Sequence, residues 1–132
     1  YNIKQGKCVG ATPEGRRAGE SLADNVSPAM GRDVHGPTAT VLSVAKIDQL
    51  NTTDGTLYNL RFDPRSISGE KGIETLGGVV KTYFEYNGHH IQINVVDDDT
   101  LRDAQANPEN YKNLLVRVAG YLAYFTELDK SV

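Results

Sequence analysis

The chain has 132 residues, 39% of them apolar and 23% charged, with no Trp and a formal net charge of −3. This composition suits one modest soluble globular domain and excludes a disordered tail or a collagen-like repeat. No apolar run approaches the ~20 residues of a membrane span, and an acidic chain lacks the clustered basic face of nucleic-acid binders, so neither partner is expected.

The first third reads as loop. Thr12-Pro13-Glu14-Gly15 places Pro and Gly where a type I turn takes them, Arg16-Arg17 follows, and Ser27-Pro28 and Gly31-Arg32-Asp33 continue the irregular path. Gly36-Pro37-Thr38 predicts a helix start, with Pro at the first helical position. The segment from Ala39 to Ile47 is apolar on nearly every side, which predicts a buried helix rather than an amphipathic one. After a turn at Asp54-Gly55, alternation over 57–62 predicts a strand with Tyr58, Leu60 and Phe62 on one face, stopped by Asp63-Pro64. From Gly72, a stripe of Ile73, Leu76, Val80 and Tyr83 predicts a helix that ends at Asn87-Gly88.

His89 to Val96 predicts a second strand, with Ile91, Ile93 and Val95 on one face and His90, Gln92 and Asn94 on the other. Asp97-Asp98-Asp99 supplies an N-cap and first-turn charge for a helix through Leu101 and Ala104, and Asn107-Pro108 opens a short helix to about Leu114. Strands alternating with helices indicate α/β architecture. Two strands alone leave unpaired edges, so the rest of the sheet is expected upstream. The chain opens on Tyr1-Asn2 without an initiator Met or a leader, and it ends at Ser131-Val132 just after an apolar-aromatic run. Both ends are expected to be cuts through a longer polypeptide, with 1–132 as one continuous domain.

Several residues invite chemistry. The lone Cys8 forms no internal disulfide, which places the chain in a reducing, cytoplasmic compartment; a catalytic thiol there needs a base such as His35 or a cation such as Lys7, and an inert thiol is favoured. His89 and His90 are adjacent on a strand, so they face opposite ways and no metal site is expected. The three consecutive aspartates lack the alternating carboxylates and glycine of a calcium loop, and capping explains them better. Asn51-Thr52-Thr53 matches a glycosylation sequon, which matters only in a secreted chain. Gly120, between Val118-Ala119 and Tyr121, reads first as a bulge or tight turn. It has a second capacity: an α-carbon without a side chain can hold a planar radical delocalised into both amides, if buried away from solvent and oxygen.

Arg117-Val118-Ala119-Gly120-Tyr121 resembles the glycyl-radical motif of the pyruvate formate-lyase superfamily. Blocks in the same order run through the chain: Ala11 to Gly19, Gly36-Pro37-Thr38-Ala39, Ser43-Val44-Ala45-Lys46, Gly88 to Val96 and Asn107-Pro108-Glu109-Asn110-Tyr111. The resemblance implies the C-terminal glycyl-radical domain of a much longer enzyme, part of a ten-stranded α/β barrel. It implies Gly120 as the radical position, with Arg117, Val118, Ala119 and Tyr121 shaping its loop, and no bound metal or cofactor. The radical would be installed by a separate activating enzyme that uses a [4Fe-4S] cluster and S-adenosylmethionine, and would then generate a thiyl on a cysteine outside this chain. Cys8 does not match that cysteine's context, so the piece alone should lack turnover.

The blocks at 36–39, 90–96 and 125–128 look closer to the dehydratase, eliminase and decarboxylase branches than to pyruvate formate-lyase proper. The implied chemistry is C–O, C–N or C–C cleavage of a small polar substrate in anaerobic metabolism, by an enzyme that is a homodimer. Leu122 departs from the Ser or Ala common after the Gly-Tyr pair. Other readings are formate C-acetyltransferase activity of the parent, an autonomous spare part for an oxygen-cleaved enzyme, and a plain α/β module with a conformational glycine.

Overall fold

The alternation Tyr58, Leu60, Phe62 becomes strand β1 (Asn59–Phe62) and its approach, with all three side chains buried. The computed structural model describes residues 2–118 and 121–128. Asp63 ends β1 and caps a 3-10 turn at Pro64–Ile67, after which helix α3 (Gly69–Glu85) carries the chain back to strand β2 (Gln92–Val95). β1 and β2 pair in parallel, Asn59 with Gln92 through Phe62 with Val95. Parallel neighbours need such a crossover, and the helix supplies it. Upstream, Pro37 lies in the first turn of helix α2 (Gly36–Val44), as the sequence predicts, and a five-residue helix α1 (Asn2–Gly6) precedes it in the stretch expected to be loop.

The core gathers Val41 and Val44 from α2, Tyr58, Leu60 and Phe62 from the β1 strip, and Val79 and Tyr83 from α3, with Ile91 and Ile93 packed against it. The Tyr58 and Tyr83 rings lie 5.3 Å apart in a tilted pair. The Tyr58 hydroxyl donates to Thr40 Oγ1 at 3.0 Å, and burial raises its pKa. Gln49, 2% exposed in a 3-10 turn at Gln49–Asn51, joins the layers. Its Oε1 accepts from the Thr56 hydroxyl at 2.8 Å, the Tyr83 hydroxyl at 3.1 Å and the His89 backbone N–H at 2.8 Å.

Three expectations need correcting. α2 is buried on one side only: Thr40, Val41 and Val44 face the core while Leu42, and Ile47 just beyond the helix, are exposed. The buried stripe of α3 is Gly72, Val79 and Tyr83, with Leu76 partly buried, and Ile73 is 67% exposed. The stripe turns because the helix is drawn against the preceding 3-10 turn at Gly72, where a Cβ would lie 2.2 Å from the Ile67 carbonyl carbon. The strand after α3 is shorter than His89 to Val96, and Gln92, on its supposedly polar side, is 4% exposed. The helix does stop where the sequence says: Asn87 takes the left-handed conformation at φ 63°, and Gly88 lies under the Tyr83 ring.

Helix α4 (Asp98–Ala106) starts as predicted, with Asp97 accepting from the Thr100 backbone N–H at 2.7 Å and its hydroxyl at 2.8 Å, which holds the Asp97 carboxyl low. Asp63 is held down to about 2 from 3.8, first by the Arg65 guanidinium and then by the Arg65 backbone N–H. A carboxyl depressed in the folded state contributes stability above its unfolded pKa and loses it as pH falls through the folded value. The difference in unfolding midpoint between the natural chain and Asp63→Asn is therefore expected to be constant above about pH 5 and to shrink between about pH 4 and 2. A difference that stays flat over that window, followed by circular dichroism, would contradict this. A 3-10 turn at Pro108–Tyr111 replaces the short helix expected there, and two further strands follow.

Candidate functional site

Strand β3 (Leu115–Val118) and strand β4 (Tyr121–Tyr124) pair antiparallel, Leu115 with Tyr124 through Val118 with Tyr121. The sequence alone predicts no strands here. The Phe125 backbone N–H donates to the Leu114 carbonyl at 2.8 Å and closes the far end of the ribbon. Arg117 and Val118 thus sit on β3 and Tyr121 on β4, and Ala119 and Gly120, which join these strands in the chain, lie outside the described residues. The ribbon forms its own sheet, separate from β1 and β2. It buries little: Leu115 is 50%, Tyr121 57% and Leu122 59% exposed.

What ties the ribbon to the β1–β2 sheet is a pair of amide side chains on one face of β2. Asn94 Nδ2 donates to the Arg117 carbonyl at 2.9 Å, and the Arg117 backbone N–H donates to Asn94 Oδ1 at 3.0 Å. In an antiparallel ribbon every second residue turns both backbone groups outward. Arg117 is such a residue, and the amide of Asn94 takes both groups as a neighbouring strand would. The Arg117 guanidinium Nε also donates to Oε1 of the buried Gln92. Sequence reasoning put Gln92 and Asn94 on the polar face of β2 without assigning them a task. The signal was that alternation, but the partner, more than 20 residues away, was not visible.

A cavity of about 390 Å³ opens beside this junction, lined among others by Asn59, Arg61, Asn94 and Arg117. Three buried polar atoms lie on β1, on β2 and just before β2. Asn59 Oδ1, His90 Nδ1 and Gln92 Nε2 have no hydrogen-bond partner among the described residues, although buried polar groups ordinarily find one. Asn59 donates from its other amide atom to Asp24, and Arg61 pairs with Asp98 at 2.8 Å at the surface.

The other candidates fall elsewhere. Cys8 is exposed just beyond α1, its Sγ 3.8 Å from the Lys4 carbonyl. His89 is exposed and His90 is half-buried. Among the described residues no three of His, Cys, Asp and Glu come together as a metal-holding group. Arg16 belongs to the scaffold: largely buried, it donates to the carbonyls of Val9, Gly10, Arg17 and Glu20 and pins the N-terminal loop. The turn before it forms as expected, Gly15 N–H to Thr12 carbonyl at 3.0 Å with Gly15 at φ +99°. No helix among the described residues is long and apolar enough to cross a membrane.

A parallel β-α-β unit thus holds, by side-chain amides, a sparsely buried ribbon whose strands carry Arg117, Val118 and Tyr121. The model of the family described as "Glycine radical" matches residues 22–126, and the chain belongs to that family. It is 45% identical over 131 residues to a trans-4-hydroxy-L-proline dehydratase from Clostridioides difficile, covering 99% of this chain and 16% of that one. In structure it is similar to a B12-independent glycerol dehydratase from Clostridium butyricum in its glycerol-bound form, with a TM-score of 0.93 and 48% identity. A structure concerned with 1,2-propanediol dehydration in Roseburia inulinivorans gives a TM-score of 0.92 and 50% identity. In both solved structures the match covers 98% of this chain and 16% of the other. The chain therefore spans about a sixth of the length of these relatives.

Proposed function

We propose that residues 1–132 are the radical-storing domain of an anaerobic glycyl radical enzyme, with Gly120 as the radical carrier. The observation that carries this reading is that the family match runs through residues 22–126 and so includes the whole Arg117 to Tyr121 motif. A hydrogen atom leaves the Gly120 α-carbon, and the unpaired electron that remains spreads into the two flanking amides. That carbon then takes a hydrogen atom from a cysteine thiol outside this chain, which leaves a thiyl to act on substrate. Arg117, Val118, Ala119 and Tyr121 shape the loop.

The parent enzyme would cleave a C–O, C–N or C–C bond of a small polar molecule; the names of the relatives, dehydratases among them, favour this class. The remaining strands of a ten-stranded α/β barrel would cover the exposed ribbon and the apolar side chains left bare, Met30 at 88% and Leu50 at 73% among them. A separate activating enzyme, carrying the iron–sulfur cluster and S-adenosylmethionine, would remove the hydrogen atom; the working enzyme would be a cytoplasmic homodimer. Anaerobic incubation of the intact protein with its activating enzyme, S-adenosylmethionine and a reductant is expected to give an organic-radical EPR signal. Silence under conditions that activate a glycerol dehydratase control would overturn the reading.

A further inference from the structure

We propose that Asn94, assisted by Gln92, is a positioning residue that latches the β3–β4 ribbon in its stored position and sets how readily the radical loop is released. The inference rests on the reading of Gly120 as the radical carrier and adds to it a control point on a different element. Three observations converge. The ribbon is a sheet of its own, with no strand ladder to β1 or β2. Within residues 1–132 its apolar side chains are largely exposed, so burial against this domain contributes little to holding it on β2. Among the described residues, the side-chain hydrogen bonds between β2 and the ribbon all end on Arg117, three residues before Gly120: two between Asn94 and its backbone and one from its guanidinium to Gln92.

Such an attachment opens as a unit, because loss of the Arg117 contacts leaves the ribbon with few ties to β2. Within this domain the ribbon has few buried apolar contacts, and such an element belongs to the low-stability end of the domain, where opening is cheap and easily tuned. A loop that must be reached by an activating enzyme, and afterwards kept from solvent, needs such a balance. A latch makes an unusual prediction about sign. A residue that only supports the fold would slow activation when removed. Loss of a latch speeds radical installation and shortens the life of the stored radical.

The test uses the intact protein with Asn94→Ala and Asn94→Asp. The second variant keeps an acceptor for the Arg117 N–H but sets a carboxylate against the Arg117 carbonyl. Hydrogen–deuterium exchange is read on β4, whose amides do not bond Asn94, with α3 as the internal reference. Exchange across β4 is expected to rise roughly tenfold in Asn94→Ala, the effect of removing two hydrogen bonds worth together about 1.4 kcal/mol net. Asn94→Asp should move the same way, and α3 should be unchanged. Under activation, the initial rate of EPR signal growth should rise and the signal's half-life should fall in both variants. If Asn94→Ala also speeds exchange in α3, it has loosened the fold and Asn94→Asp decides. Unchanged exchange across β4 with an intact α3, or faster exchange with unaltered activation and decay rates, overturns the proposal. A natural protein that takes no radical overturns the functional reading, while the exchange measurement still decides whether Asn94 holds the ribbon.

Discussion

Gly120→Ala is expected to abolish the organic-radical EPR signal and all turnover of the intact enzyme, the largest effect of any single substitution in this chain. A radical at an α-carbon gains its stability by lying flat between an electron-donating nitrogen and an electron-withdrawing carbonyl. Planarity puts the third substituent, beside the nitrogen and the carbonyl carbon, in the plane of both amides. Hydrogen fits there, but a methyl group meets the neighbouring carbonyl oxygen, so the amides twist and delocalisation is lost. The freedom to adopt such a geometry is particular to glycine. Leu122→Ala, two residues away on a side chain 59% exposed, is expected to keep the signal. Spin counting on both variants, activated side by side, checks the claim, and a Gly120→Ala protein with natural spin yield would remove Gly120 from the mechanism.

The parts of this fold that could be read in advance are those governed by neighbours in the chain. Tyr58, Leu60 and Phe62 alternate because a pleated strand with one buried face requires it, and all three are in the core. Asp97 caps α4 and Asn87-Gly88 ends α3 because each satisfies backbone groups within a few residues. The misreadings come from packing at a distance. Ile73 looked like a core residue by period alone, yet the approach of α3 to Ile67 at Gly72 turns it outward. Gln92 looked like a surface residue because it is polar, yet it is 4% exposed beneath Arg117.

The site divides along the same line. The Arg117 to Tyr121 motif stands out as a string of residues, and its family resemblance agrees with the family match over 22–126. The two-strand ribbon around it is not legible in advance, since Val118 to Tyr124 is apolar throughout and offers no alternation to distinguish strand from helix. Asn94 was placed on the correct face of β2, but its partner is 23 positions away, and nothing local to either residue announces the pair. Composition and period describe faces. Contacts between faces need the fold.

The second large effect is expected at Gln49, and it is thermodynamic. Gln49→Leu keeps the volume of the side chain but removes the one oxygen that accepts from the Thr56 hydroxyl, the Tyr83 hydroxyl and the His89 backbone N–H. All three donors sit at or near the core, and an orphaned buried donor costs about 1–3 kcal/mol. The Thr56 hydroxyl can rotate to another acceptor, and water can reach the half-exposed end at His89, so the expected loss is about 3–5 kcal/mol rather than the full sum. Tyr83→Phe removes one of those donors together with its need for an acceptor, and Gln49 keeps two others, so it should cost about 1 kcal/mol or less. Denaturant unfolding of the two variants beside the natural protein checks the order, and equal losses would mean that the oxygen of Gln49 is not the junction. The consequence reaches the ribbon. His89 leads into β2, and β2 carries Asn94, so a chain that loses the Gln49 junction is also expected to expose the β4 amides to exchange before α3 unfolds.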